Sequence, residues 1–111
     1  MDDYPKRGDV FWITLDPTVG SETKKTRPCV VISNNAQNKK SPLIIIAPIT
    51  SNVKTIYPFE SKVIVQGKEG KAMLDQIRTV DKQRLSTRAT SLEMETMLEM
   101  DHALKIALAL K

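Results

Sequence analysis

The stretch Leu43-Ile44-Ile45-Ile46-Ala47-Pro48-Ile49-Thr50-Ser51-Asn52 decides the fold. Leu43 to Ala47 is an unbroken apolar run, too short for an ordinary helix, and it reads as a strand buried on both faces. Pro48 is expected to end it, and Thr50-Ser51-Asn52 to turn the chain. Upstream, Val10 to Leu15 is rich in β-branched and aromatic residues and reads as another strand, broken by Asp16-Pro17. A polar loop follows from Thr18 to Thr26. Arg27-Pro28 then opens a strand over Cys29 to Ser33, since proline is tolerated where no ladder donor is yet needed. Asn34 to Ser41, with three asparagines, reads as a loop.

Downstream, Tyr57 to Val65 is expected to be a strand, irregular at Pro58. Gly67-Lys68-Glu69-Gly70 is expected to form a hairpin turn on two glycines with positive φ, and Lys71 to Val80 the returning strand. The period then changes. Thr90-Ser91-Leu92-Glu93 has capping-box spacing, and Met97, Met100, Leu104 and Ala107 recur at helical intervals. A helix of about 18 residues is expected, with Asp101 and Lys105 as an i,i+4 pair. Short strands with no room for crossover helices exclude a parallel sheet. The fold class is mainly β (α+β), an antiparallel sheet or barrel closed by a C-terminal helix, with residues 1–111 as one domain.

The chain has 111 residues, 41% of them hydrophobic, enough for one modest core. No apolar run approaches the roughly 20 residues that span a bilayer. The opening residues, mixed in charge, do not read as a signal peptide. One cysteine, Cys29, excludes an intramolecular disulfide framework. These features favour the cytoplasm. The net charge of +4 is uneven. No acid lies between Glu22 and Glu60, while Lys24, Lys25, Arg27, Lys39, Lys40 and Lys54 do. A regional basic excess is the footprint of a polyanionic partner.

Several chemistries lack their residues. With one imidazole, His102, and one thiol, no zinc-ligand spacing exists. The basic half lacks the convergent acids of a two-metal nuclease. There is no dinucleotide or phosphate-loop glycine motif, and no nucleophile elbow. No metal or cofactor is expected. What remains are polar loops beside strand ends: Ser21-Glu22, Lys24-Lys25 and Arg27, Thr50-Ser51-Asn52, and Asp75-Gln76. Arg27 offers a planar fork of donors to a phosphate, Thr50 a hydroxyl, and Glu22 or Asp75 a proton acceptor.

At this point the ordered blocks resemble a known family. Arg7-Gly8-Asp9-Val10-Phe11-Trp12, Leu15-Asp16-Pro17-Thr18 and Gly20-Ser21-Glu22 are similar to the opening of MazF, PemK and Kid toxins. So are Thr26-Arg27-Pro28-Cys29-Val30-Val31-Ile32-Ser33, Ala47-Pro48-Ile49-Thr50-Ser51, Tyr57-Pro58-Phe59-Glu60 and Leu74-Asp75-Gln76-Ile77-Arg78-Thr79-Val80-Asp81-Lys82-Gln83-Arg84-Leu85. The likeness runs from about Arg7 to the last helix and is strongest to the MazF toxins of Gram-positive bacteria. It implies a small SH3-like β-barrel with a terminal helix, a homodimer, and metal-independent cleavage of single-stranded RNA. It also implies neutralisation by a MazE-like antitoxin. Contact with DNA is expected only through that antitoxin, and none with a membrane.

By the same resemblance, Arg27 and Thr50 fall on the catalytic positions. Glu22, Asp75 and Gln76 fall near the scissile phosphate or its bases. Ser21, Lys24, Lys25, Ser51 and Asn52 complete the substrate-binding candidates. Some relatives have a histidine where this chain has Ser21 and an arginine where it has Met73, so a mechanism using those groups does not transfer. The implied chemistry is attack by the RNA 2′-OH, giving a 2′,3′-cyclic phosphate and a 5′-OH. Two other readings share the residues: a gyrase-inhibiting toxin of the same fold, and a non-catalytic RNA-binding module. Gyrase poisons of this kind act through C-terminal residues, and the tail Ala107-Leu108-Ala109-Leu110-Lys111 lacks an aromatic end.

Overall fold

A computed structural model describes residues 3–15 and 25–111, with only the backbone of Lys25. Seven strands and two helices follow in the order β1 (Asp9–Leu15), β2 (Lys25–Val31), α1 (Asn35–Lys40), β3 (Leu43–Thr50), β4 (Glu60–Val65), β5 (Lys68–Met73), β6 (Arg78–Asp81), β7 (Leu85–Ser91) and α2 (Met94–Ala107). Single 3-10 turns lie at Leu74–Gln76 and Lys82–Arg84. The strands form one antiparallel sheet in the order β4-β5-β3-β2-β1-β7, with β6 also paired to β3. The architecture is mainly β, a curled sheet carrying one C-terminal helix.

β3 organises this sheet. Alternation along a strand sends successive side chains to opposite faces, and both faces of β3 are covered. Ala47 and Ile49 join a core with Val10, Val30, Val63, Leu74, Met100 and Ala103, roofed by α2. Ile44 and Ile46 join a second core with Ile13, Cys29, Val31 and Val80. The apolar run is continuous because it supplies two cores at once. Its first residue, Leu43, is exposed.

Several boundaries differ from the sequence reading, each for a physical reason. β3 runs through Pro48 to Thr50, and Pro28 lies inside β2 opposite Trp12. Asn34–Ser41 is not all loop. Asn34 Oδ1 accepts the Gln37 amide at 2.8 Å, an N-cap that starts α1. β4 begins at Glu60, not Tyr57. The hairpin turn is Gln66-Gly67, both at positive φ (51° and 80°), between the paired Val65 and Lys68. This is the two-residue turn that matches strand twist, and it leaves Gly70 inside β5. The expected return strand from Lys71 to Val80 breaks at Leu74–Gln76, which lets β5 and β6 both reach β3.

The capping box does not form. Thr90 lies in β7 opposite Val10, its neighbour Ser91 donates Oγ to Asp9 Oδ1 at 2.6 Å, and α2 starts at Met94 with no side-chain cap. α2 is 14 residues long, shorter than expected. Asp101 pairs not with Lys105 but with Arg7, at 2.7 Å. Arg7 Nε also donates to the Ile32 carbonyl at 2.8 Å, which fastens the N-terminal segment to β2 and α2 together.

Candidate active-site groove

Two prolines open the site. The Ile32 amide donates to the Ile45 carbonyl at 2.9 Å, and the Gly8 amide to the Val31 carbonyl at 2.8 Å. Even-numbered positions of β2 therefore face β3 and odd ones face β1. Pro28 faces β3 with no N–H to offer, and the β2–β3 ladder stops at the preceding rung, Cys29 opposite Pro48. By the same alternation Pro48 turns its missing donor to the other edge of β3. There the pairing with β6 ends at Ile46 and that with β5 begins at Ile49. Beyond these prolines β2 and β3 are no longer paired, and a groove of about 660 Å³ lies between them.

Arg27 lies two residues before the last paired position of β2, and Thr50 two residues after that of β3. Both line the groove, as do Ser51, Trp12, Pro28 and Ile49. Arg27 is half-buried, and among the described residues no carboxylate pairs with its guanidinium. Thr50 Oγ1 accepts the Asn52 amide at 3.2 Å. A hydroxyl carries one donor and two acceptor sites, so the Thr50 proton is left to donate. Gly70 closes the wall from β5. A Cβ there would lie 3.0 Å from the Thr50 carbonyl oxygen and 3.0 Å from Ile49 Cγ2. Glycine at this place allows the close approach.

Cys29, directly behind Arg27, is fully buried. Burial pushes its thiol up from 9.0 to about 12, against the pull of the Arg27 and then the Arg78 guanidinium. It is a neutral core side chain, and its Sγ lies 3.6 Å from the Arg27 carbonyl.

The other candidates divide. Asn52 orders the turn, accepting the Lys54 amide at 3.3 Å, and does not line the groove. Asp75 and Gln76 are exposed on the 3-10 turn after β5, off the groove wall, and Gln76 Nε2 donates to Met73 Sδ at 3.4 Å. Ser21, Glu22 and Lys24 lie outside the described residues, as does the side chain of Lys25, which opens β2 opposite Leu15. Sequence reasoning missed Gln66, Lys68, Glu69 and Gly70 at the β4–β5 hairpin, along with Trp12. Nothing in their local pattern signals the role, because β3 brings them there by changing partners. Glu69 is held by Lys62 at 2.9 Å in an exposed pair. Among the described residues no three His, Cys, Asp or Glu side chains converge as a metal site. His102 is exposed on α2.

The fold and this groove define a small curled-sheet toxin. Residues 6–108 match the family described as PemK-like, MazF-like toxin of type II toxin-antitoxin system, and the chain belongs to that family. It is 42% identical to Endoribonuclease EndoA of Bacillus subtilis (strain 168) over 95% of each chain. It is 41% identical to Endoribonuclease MazF of Staphylococcus epidermidis, over 95% of this chain and 92% of that one. Among solved structures, MazF (Form-I) from Deinococcus radiodurans superimposes with a TM-score of 0.80 at 28% identity, covering 98% of this chain and 100% of that one. The MazE-MazF complex (Form-II) from the same organism gives 0.81 at 27% identity, covering 99% and 100%.

Proposed function

We propose that this MazF-like toxin endoribonuclease cuts single-stranded RNA in the groove between β2 and β3, by attack of the 2′-OH on the adjacent phosphate. The observation that carries the reading is that Arg27 and Thr50, from two different strands, line one groove that opens beyond the last β2–β3 rung. The 2′-OH gives up its proton and its oxygen bonds to phosphorus, while the P–O5′ bond breaks and the leaving oxygen takes a proton from solvent, giving a 2′,3′-cyclic phosphate and a 5′-OH. Arg27 stabilises the charge that develops on the phosphorane; preorganised charge of this kind is usually the largest catalytic term. Thr50 donates its hydroxyl proton to a non-bridging oxygen. Ser51, Lys68 and Gln66 on the rim suit the sugar-phosphate chain and base edges.

The attacking hydroxyl needs a proton acceptor, and a guanidinium, with pKa above about 12, is a poor one. Asp75 lies off the groove and Glu69 is held by Lys62, so we assign the acceptor to Glu22. Ser21, Lys24 and Lys25 on the same segment are proposed to contact substrate, with Asp75, Gln76 and Asn52 reaching only nucleotides outside the groove. No metal takes part. In excess EDTA the protein is expected to keep cutting single-stranded RNA. A substrate with 2′-deoxy at the scissile nucleotide is expected to resist. Loss of activity on chelation, or normal cutting of the deoxy substrate, defeats the mechanism. Glu22→Gln should lower kcat, and flatten the acidic limb of the pH–rate profile, far more than Asp75→Asn.

We further propose a homodimer, a MazE-like antitoxin that covers the groove, no direct contact with DNA, and a cytoplasmic location. α2 turns Met94, Leu98 and Ile106 to solvent at 78%, 61% and 43% exposure, an apolar face suited to a second copy of the chain. The run Leu43 to Ala47 does not serve this purpose, since most of it is in the chain's own cores. No helix among the described residues is long and apolar enough to cross a membrane. Light scattering across a concentration series tests the dimer; a monomer throughout the series overturns it.

A further inference from the structure

The segment 51–59 leaves the groove at Thr50 and returns to the sheet at Glu60 without forming a helix or strand. Two charged side chains lie beneath it, almost fully buried. Lys71 and Glu60, with side-chain exposures of 9% and 6%, form an ion pair at 2.8 Å. Burying such a pair is not itself a gain in stability, since apolar side chains of similar volume do as well or better. What marks this pair is the direction of its remaining hydrogen bonds. Lys71 Nζ donates to the Thr55 carbonyl at 2.6 Å, and Glu60 Oε1 accepts the Tyr57 amide at 3.0 Å. Both go to the backbone of the segment and not to the sheet. Lys71 Nζ also sits 5.5 Å from the centre of the Tyr57 ring, which stacks on Phe59 at 5.4 Å.

The pair stands next to the proposed chemistry. Lys71 is the rung partner of Thr50, so the two side chains project from the same face on neighbouring strands. At the other end of the tie, the Asn52 amide bonds Thr50 Oγ1. The chain of contacts therefore runs from Glu60 and Lys71 through the Thr55–Tyr57 backbone to Asn52 and the Thr50 hydroxyl. We infer that Lys71, together with Glu60, is a positioning residue for RNA cleavage: the buried pair ties segment 51–59 to the sheet and thereby aims the Thr50 hydroxyl into the groove. The inference rests on the reading of that groove as the RNA-cleaving site.

The test uses the full chain with the paired substitution Lys71→Met and Glu60→Leu, which removes both charges together and so leaves neither unpaired. Trypsin cutting after Lys54 reports on the tie independently of RNA. In the double variant the Lys54–Thr55 bond should be cut much faster than in the parent protein. kcat on a single-stranded RNA should fall by about 10- to 100-fold, the cost of a small misplacement of a catalytic group, with KM and the thermal midpoint little changed. A freed segment with unchanged kcat overturns the positioning role. A segment still resistant to trypsin, with unchanged kcat, overturns the tie itself. If the double variant does not fold, hydrogen exchange on the parent protein decides. A slowly exchanging Tyr57 amide supports the tie, and exchange at the rate of a free amide overturns it. A parent protein that cuts no RNA removes the reading of the groove, while trypsin and exchange still decide whether the tie exists.

Discussion

The two ends of the β2–β3 pair use the same strands in opposite ways. At the closed end the polar groups bond to one another. The Ser33 hydroxyl contacts Asn38 Oδ1 and accepts the Ile45 amide at 3.0 Å, and Asn38 Nδ2 donates to the Ser33 carbonyl at 2.8 Å. Arg7 satisfies the Ile32 carbonyl and pairs with Asp101. At the open end, beyond Pro28 and Pro48, Arg27 and Thr50 line the groove. Arg7 is tied on both sides, whereas Arg27 lines the groove with no carboxylate partner among the described residues. The difference teaches that donors of the same kind are used up within the fold where a ladder continues and are left for the proposed chemistry where it stops.

The sharpest way to break this comparison is Arg27→Ala. Removing a transition-state donor typically lowers the rate by about 10²–10³, and the thermal midpoint should hardly move. A large loss of stability with modest loss of rate would make Arg27 a structural residue. Asn38→Ala should do the reverse. It strips a buried network at the closed end at a cost of about 1–3 kcal/mol per orphaned group, read by denaturant unfolding, with kcat/KM per folded molecule retained.

Gly70→Ala probes the groove wall. The added methyl would press on the Thr50 carbonyl and Ile49. β3 must shift by a few tenths of an ångström, so cleavage should slow by up to about tenfold with a smaller stability loss than the typical 1–3 kcal/mol of overpacking. Unchanged kcat would show that Thr50 tolerates movement. The smallest effect at neutral pH concerns Cys29. Its thiol is pushed up from 9.0 to about 12 in the folded chain, so the folded state holds a proton that the unfolded state has lost. Stability from this group is fully present below pH 9 and declines as pH rises from 9 towards 12, by up to about 1.4 kcal/mol per pH unit. Unfolding at pH 8 and 10 checks it: Cys29→Val should remove part of the alkaline loss.

Much of the fold was legible. Val10 to Leu15 and Leu43 to Ala47 read as strands because burial selects β-branched and aromatic side chains wherever they lie. Met97, Met100, Leu104 and Ala107 obey helical spacing, with Met100 buried and the other three partly buried against the same core. The misreadings share a cause. Pro28 and Pro48 look like strand boundaries because each lacks an amide, yet a strand continues through proline if its missing donor faces a gap in the ladder. Thr90 looks like a cap in one dimension, but it lies in β7, paired with Val10 across the sheet, and the helix starts only at Met94. Of the candidate residues read from the chain, Arg27, Thr50 and Ser51 line the groove, and Asp75, Gln76 and Asn52 do not.

The amino-acid sequence alone determined the chemistry available: a basic stretch without acids, one arginine ahead of a strand, one threonine after another, and no metal-ligand spacing. It also determined the antiparallel class, since alternation and turn residues act over a few neighbours. Only the tertiary structure decided that β3 changes partners from β6 to β5, that Arg27 and Thr50 come to line one groove, and that Lys71 and Glu60 close on segment 51–59. Those outcomes depend on hydrogen-bond registers between strands far apart in the chain. No local pattern encodes a register until the two strands meet.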